Sequence, residues 1–313
     1  MERPEPGRCV TLEPGLRRVL APNPSPMTHW GTNSYILGEG EVALIDPGPD
    51  HAAHREALLA ALAPGERITT IFVTHAHRDH SPLARPLATL TGAEILAFGT
   101  AVAGRSPLMS AFAGELGGGE GVDDGFVPDR CLGDGERIAG PGWEIEAIHT
   151  PGHFGNHLCL AWGDRCFSGD HVMGWATSLV SPPDGDMGAY LSSLDRLGAR
   201  PWRIFHPGHG APVTRPADRI AWLAAHRRER EASILRELSA EAAHLSALTA
   251  RVYRDTPPAL HPQASRNLLA HLLDLWHRGL VVATPGPSPE AVFAIAGPLA
   301  GGVLVRSDRG PSF

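Results

Sequence analysis

The chain has no lysine; all 27 of its basic residues are arginine. That excludes a lysine Schiff base, a phosphate loop ending in Gly-Lys-Ser/Thr, and a serine–lysine dyad. Cysteine is scarce as well. Cys9, Cys131, Cys159 and Cys166 show no Cys-x-x-Cys spacing, so neither a disulfide framework nor a cysteine zinc knot is expected, and a reducing compartment fits. Long apolar runs are missing. The longest uncharged apolar stretch, Ala291 to Val305, holds 15 residues and is broken by Pro298 and three glycines, too short to span a bilayer. The first six residues, Met-Glu-Arg-Pro-Glu-Pro, lack the apolar centre of a secretory signal. A soluble, cytoplasmic protein with no membrane partner is the expectation. There is no excess of positive charge either. With 34 acidic residues against 27 basic ones, the net charge of −7 gives no general attraction for nucleic acid or anionic lipid.

The 313 residues, 42% hydrophobic and 19% charged, suffice for one large domain or a large one plus a small one. Histidine is abundant. Of 17 histidines, eleven fall between His51 and His209, a clustering that directs attention to a metal.

Residues 33–46 read as two short strands joined by a Gly-containing turn. An Ala/Leu-rich helix follows over about 51–63. The β-branched run Ile68 to Thr74 then reads as a buried strand. Ser81 near the cap and Pro82 in the first turn open the next helix, and a strand over 94–98 follows it. Beyond a loop-rich stretch, 99–135, strands are expected at 143–149, 157–162, 165–168 and 203–206, with a helix at 187–198. Strands mixed with helices on this scale make a layered domain. After Thr214 the pattern turns helical: a long helix from Pro216 to Leu238, a short one around Leu245, Leu248 and Val252, and a third over about 262–278. Leu280–Ala283 and Val292–Ile295 look like a two-stranded wing, so the tail reads as a winged helix.

The segment Thr74-His75-Ala76-His77-Arg78-Asp79-His80 stands where the buried strand ends. In extended backbone, His75 and His77 project to one side, and the turn that follows brings Asp79 and His80 to a second point nearby. Three imidazoles and a carboxylate are borderline ligands suited to zinc. Three more ligand-type residues follow predicted strands: His153 in His149-Thr-Pro-Gly-His153, Asp170 in Phe167-Ser-Gly-Asp170, and His209 in His206-Pro-Gly-His209. Strand ends are where open α/β architectures assemble their sites. His149 and His157 flank His153 without sharing a helical face with it, so neither is taken as a ligand. His206 reads as structural or supporting. His171 is open between reaching substrate and making a polar contact; His51 and His54 read as capping or solvent-exposed, and Asn33 as a support of the site.

Together, Asp46, His75-x-His77-x-Asp79-His80, His153, Asp170 and His209 resemble the five ordered motifs of the metallo-β-lactamase superfamily, over about residues 30–212. The resemblance implies an α+β fold, an αβ/βα sandwich of two mixed sheets with a dinuclear site at one edge. It implies that His75, His77 and His153 hold one metal, that Asp79, His80 and His209 hold the other, and that Asp170 bridges them, with Asp46 in support. The metals would be two Zn²⁺, with manganese and iron as alternatives, and the nucleophile a metal-bridging hydroxide oriented by Asp79 and Asp170 as catalytic residues. Two positions depart from the usual pattern: Ser81-Pro82 stands in place of a Gly pair after Asp79-His80, and Phe154 follows His153 where Thr is common. Asp170 occupies the place of the cysteine in one lactamase type, which argues against β-lactam turnover. The interval from Asp170 to His209 leaves no room for the inserted domain of messenger-RNA-processing relatives, and ordinary glyoxalase II lacks a winged helix.

The tail narrows the resemblance. With His226-Arg227-Arg228-Glu229 and Asn267-Leu268-Leu269-x-His271-Leu272, it is similar to the β-lactamase-like protein 2 group, whose members join a C-terminal winged helix to the hydrolase and include endoribonucleases and thioesterase relatives. The expected division is a catalytic domain over 1–214 and a helical linker plus winged-helix-like domain over 215–313. The first expected substrate is single-stranded RNA, gripped through Arg227, Arg228, Arg230 and Arg266. The alternative is an acyl or glutathione-type thioester. A third reading, from another class, is a nucleic-acid- or protein-binding module with a vestigial site, weakened because all seven ligand positions are filled. Residues 215–280 carry ten arginines and seven acids, a mild bias only, so the tail serves equally well as a packing or dimerisation module, and a homo-oligomer stays open.

Overall fold

Residues 3–297 are described by the computed structural model of the chain. Seven strands form the first sheet, side by side in chain order: β1 (Cys9–Glu13), β2 (Leu16–Leu20), β3 (Asn33–Leu37), β4 (Glu41–Ile45), β5 (Arg67–Phe72), β6 (Glu94–Ala97) and β7 (Arg130–Cys131). Pairing is antiparallel up to β4 and parallel from β4 onward. The second sheet runs β8 (Arg137–Gly140), β9 (Trp143–His149), β10 (Leu158–Trp162), β11 (Arg165–Gly169) and β12 (Ile204–Pro207), with only β11–β12 parallel. Helices α1 (Ala52–Ala60), α2 (Ala84–Thr91) and α3 (Pro107–Ala111) belong to the first half. Helix α4 (Met187–Gly198) belongs to the second; Asp186 caps it by accepting from the Ala189 amide at 3.0 Å.

Strand β10 shows why the layers stack this way. Leu158 and Leu160 face the first sheet, in a core with Tyr35, Phe72, Trp143 and Phe167. Cys159 and Ala161 face the other way, against Tyr190, Leu194 and Leu197 of α4. The two-residue period thus buries both faces, which is why the strand reads as a continuous apolar run. On the far side of the first sheet, Ile68 and Ile71 pack with Leu58 of α1 and Leu87 of α2. The result is helix, sheet, sheet, helix: an αβ/βα sandwich.

Three further helices follow, α5 (Pro216–Ala240), α6 (Leu245–Val252) and α7 (His261–His277), then β14 (Val281–Thr284) and β15 (Val292–Ile295); the two-residue β13 (Ala243–His244) joins β15 on its free edge. Leu248, Leu268, Leu272 and Phe293 centre this winged-helix core. The wing is therefore three-stranded rather than two-stranded, because β13 is too short to show a period. Residues 298–313, which include the end of the Ala291–Val305 stretch, lie outside the described part. No helix among the described residues is long and apolar enough to cross a membrane. Strands β1, β2 and β8 went unread in the sequence, and so did α3 and β7, which fall in the stretch 99–135 read as loop. Helix α2 starts at Ala84, and Ser81 sits in the preceding turn, where its hydroxyl donates to Asp123 at 2.6 Å instead of capping the helix.

Candidate metal centre

The loops that leave the C-terminal ends of β4, β5, β11 and β12, with the β9–β10 loop, meet at one edge of the sandwich. Asp46 follows β4 in a left-handed conformation (φ 49°) that a short polar side chain tolerates. Its carboxylate accepts from the Thr74 amide and the Thr74 hydroxyl, both at 2.8 Å, and lies 2.9 Å from His80 Nδ1. Because the Thr74 hydroxyl spends its proton on Asp46, it accepts from His75 Nδ1 at 3.0 Å. His153 Nδ1 donates to the Leu179 carbonyl at 2.6 Å, and His209 Nδ1 to the Gly31 carbonyl at 3.1 Å. Each of these four rings has its Nδ1 engaged outward, which aims Nε2 inward.

The inward atoms form two adjoining groups, His75–His77–His153 and Asp79–His80–His209, joined by a third, His75–His80–Asp170, that shares members with both. His75 Nε2 and His153 Nε2 lie 2.9 and 3.2 Å from His77 Nδ1. Asp79 Oδ2 lies 3.0 Å from His209 Nε2 and 3.5 Å from His80 Nε2, and these two nitrogens are 3.3 Å apart. Asp170 stands between the groups: Oδ2 is 3.3 Å from His209 Nε2 and 3.9 Å from His153 Nε2, while Oδ1 is 3.6 Å from His80 Nε2. That Oδ1 is buried with no hydrogen-bond partner. Gly208 passes so close that a Cβ there would lie 2.5 Å from it. Ligand atoms around a tetrahedral ion bonded at about 2.0–2.1 Å sit roughly 3.3 Å from one another, so both groups fit a zinc-sized divalent cation.

The electrostatics divide the same way. Burial opposes charge on every histidine in the cluster. It takes His75 well below 6.5, pushes His77 down to about 3 and lowers His153, so these rings are neutral at pH 7 and offer lone pairs. Burial also opposes charge on His80 and His209, but the neighbouring carboxylates outweigh it. Asp170 and Asp79 raise His209 to about 10, and Asp79, Asp170 and Asp46 hold His80 well above its usual range. Conversely, burial tends to raise Asp79 and Asp170, and the facing His80 and His209 lower both. The carboxylates draw positive charge into this half: protons on two imidazoles, or a divalent cation that displaces them.

All seven ligand-type residues singled out from the motifs converge here, with Asp46 behind them. Asn33 donates to the carbonyls of Pro207 and Gly210 at 3.0 and 2.9 Å, clamping the turn that carries His209. His149 is stacked on Phe98 away from the cluster, and His206 packs between Tyr35 and Phe167. His157 Nε2 accepts from the Asp170 amide at 3.3 Å. Two expectations are corrected. His171 does not reach the cavity; it is fully buried behind Asp170 against Tyr190. His54 is neither a cap nor exposed but buried, 2.9 Å from Ser34 Oγ. Sequence reading missed Thr74 and the segment Ser178–Ser181, whose only signal was polar residues next to a motif.

A cavity of about 410 Å³ opens over the cluster, with His77, Asp79, His153, Asp170 and His209 on its floor. Met27, Leu179 and Pro262 give it apolar wall; Glu120, Asp184, Gln263 and Arg266 supply the polar part. The arginines expected to grip RNA are mostly occupied. Arg227 is 2% exposed and donates to Ser178 O and Asn267 Oδ1. Arg230 donates to the Val252 carbonyl and lies over the Tyr253 ring. Arg266 donates to Ser181 Oγ, Leu116 O and Pro182 O. Arg228 alone of the four points into solvent, beside Asp195.

An αβ/βα sandwich with a histidine–aspartate cluster at one edge and a cavity above it defines a metal-dependent hydrolase. The chain belongs to the metallo-beta-lactamase superfamily: residues 27–209 match that family, and residues 245–286 match the beta-lactamase associated winged helix domain. It is 32% identical to a beta-lactamase-like protein 2 homolog of Drosophila melanogaster, over 86% of this chain and 90% of that one. It is also 32% identical to an atrochrysone carboxyl ACP thioesterase of Aspergillus fumigatus, over 72% of this chain and 65% of the relative. Among solved structures, a metallo-beta-lactamase family protein of Thermus thermophilus superposes with a TM-score of 0.73 at 25% identity, covering 91% of this chain and all of that one.

Proposed function

We propose that the chain is a dinuclear zinc hydrolase that cleaves thioesters of acyl groups. On this reading His75, His77 and His153 hold one ion, Asp79, His80 and His209 the other, and Asp170 lies between them. Residues 1–214 make the catalytic unit and 215–313 its C-terminal partner. When bound, the ions would supply Lewis acidity and lower the pKa of a water in the site. Asp79 and Asp170 would accept hydrogen bonds from the attacking water and orient it toward a carbonyl carbon in the cavity. His75, His80, His153 and His209 keep their geometry through the outward bonds from Nδ1. Superfamily members use divalent metals; zinc suits this nitrogen-rich set, with manganese and iron as competitors.

The observation that carries the choice of substrate is the cavity wall. Its apolar surface suits an acyl chain, and Arg266, its one arginine among the described residues, already spends donors on Ser181, Leu116 and Pro182. Apart from ions held on the floor, a polyanion would find no unpaired side-chain cation in the described wall: Asp184 is paired with Arg105 at 2.6 Å, and Glu120 adds negative charge. A thiolate also leaves with less need of protonation than the alkoxide of RNA, because a thiol's pKa is about 8.5. The similarity to an acyl carrier thioesterase supports the same reading. The test is a metal-replete panel of acyl thioesters, a fluorescent single-stranded RNA and a cephalosporin. Thioester hydrolysis should dominate; RNA cleavage with the higher kcat/KM would overturn the choice of substrate. A binding module with a vestigial site would hold less than one equivalent of metal.

A further inference from the structure

Arg227 is a buried cation that pairs with no carboxylate among the described residues, which is costly unless its hydrogen bonds have a purpose. It projects from α5, and its guanidinium bonds two partners. One is the Ser178 carbonyl; the other is Asn267 Oδ1 on α7, at 3.2 Å. The same Asn267 Oδ1 accepts from the Val180 amide at 3.0 Å. One residue earlier in α7, Arg266 donates to Ser181 Oγ at 2.9 Å. Side chains of the C-terminal helices therefore hold three residues of the Ser178–Ser181 segment, Ser178, Val180 and Ser181, through backbone or hydroxyl groups. That short segment touches the cluster twice. The Leu179 carbonyl, between two held residues, accepts from His153 Nδ1 at 2.6 Å. The Ser178 hydroxyl donates to the carbonyls of Asp170 and His171, at 2.5 and 3.0 Å. Tyr190 completes the bracket, with its hydroxyl on the His171 carbonyl at 3.1 Å and its ring under Arg227.

We infer that Arg227 and Asn267 are positioning residues: through the Ser178–Ser181 segment they set the orientation of His153 and the backbone of Asp170, so that the C-terminal helices tune metal affinity at a site they do not touch. The inference rests on the metal assignment above. A carbonyl that accepts from a ligand histidine fixes both its tautomer and its ring plane, and loss of such a partner typically costs about 10–100-fold in metal affinity. Cutting Asn267 frees Val180 and leaves Arg227 with one acceptor, so the Leu179 carbonyl is no longer pinned over His153. The effect should fall on the His75–His77–His153 group more than on the Asp79–His80–His209 group, whose outward bonds go to Asp46 and Gly31.

The test is a competitive chelator titration of Zn²⁺ on the full-length protein, alongside the visible absorption of the Co²⁺-substituted form. Asn267→Ala should weaken one of the two binding steps by about 10–100-fold in affinity and alter the cobalt bands of one site. Asn267→Asp keeps an oxygen for both Val180 and Arg227 and should stay within about threefold of wild type. Arg227→Met should behave like Asn267→Ala; if it does not fold, the Asn267 pair decides alone. Equal zinc affinity in Asn267→Ala and wild type would overturn the inference, as would an equal loss in Asn267→Asp. A wild-type protein that takes up no zinc would instead overturn the metal assignment, and the inference with it.

Discussion

At the scale of single residues, the cluster depends on side chains that have no substitute nearby. Asp170→Ala should lower kcat by at least about 100-fold while the circular dichroism spectrum stays native, since the variant removes a carboxylate whose Oδ1 has no hydrogen-bond partner. Gly208→Ala is a steric test. The new Cβ would stand 2.5 Å from Asp170 Oδ1 and 2.6 Å from His80 Cε1, so metal content and activity should fall together. Elemental analysis beside a rate assay distinguishes this from a loss of activity alone. His54 offers a pH test. Burial pushes its pKa down to about 4, against about 6.5 in the unfolded chain, so between those values the unfolded state binds more protons. The stabilisation is present above pH 6.5 and is lost as pH falls toward 4. His54→Gln should flatten that part of a urea-denaturation profile measured from pH 7 to pH 4. The ligand-type residues were legible because each stands in the loop that leaves a strand end. The burial of His54 was not, because its partner Ser34 stands on β3, and Arg227 was read as a phosphate contact because its partners, Ser178 and Asn267, lie 40 or more positions away.

Among elements, legibility followed the apolar pattern: β2 is buried but went unread because Arg17 and Arg18 interrupt it. Strand β10 shows an apolar run because both of its faces are covered, and β5 a β-branched one, whereas β1 and β8 are half-exposed edge segments with little contrast between faces. Helix boundaries read well where a cap was present, as at Asp186 before α4, and less well at α2, where Ser81 is drawn to Asp123. The two-sided burial of the central strands carries a stability prediction. Phe167, at 1% exposure and packed against Tyr35 and His206, should cost about 3–5 kcal/mol on replacement by alanine. Urea denaturation checks it; a cost below 1 kcal/mol would mean that the two sheets do not share this core.

For the molecule as a whole, the winged helix forms part of the active cavity instead of presenting a basic surface. Pro262, Gln263 and Arg266 of α7 line the cavity over the cluster, and three of the four arginines expected to bind phosphate are turned inward to backbone carbonyls and Asn267. The motifs announced the catalytic half, but the part played by α7 depends on contacts between residues more than 80 positions apart, which no local pattern displays. The account stands or falls on whether the converging histidines and aspartates hold metal. Elemental analysis of protein purified without chelator and dialysed against zinc measures this directly. It should return about two divalent ions per chain, falling to about one when His153 is replaced by alanine. Protein that retains no metal after that treatment would contradict the account.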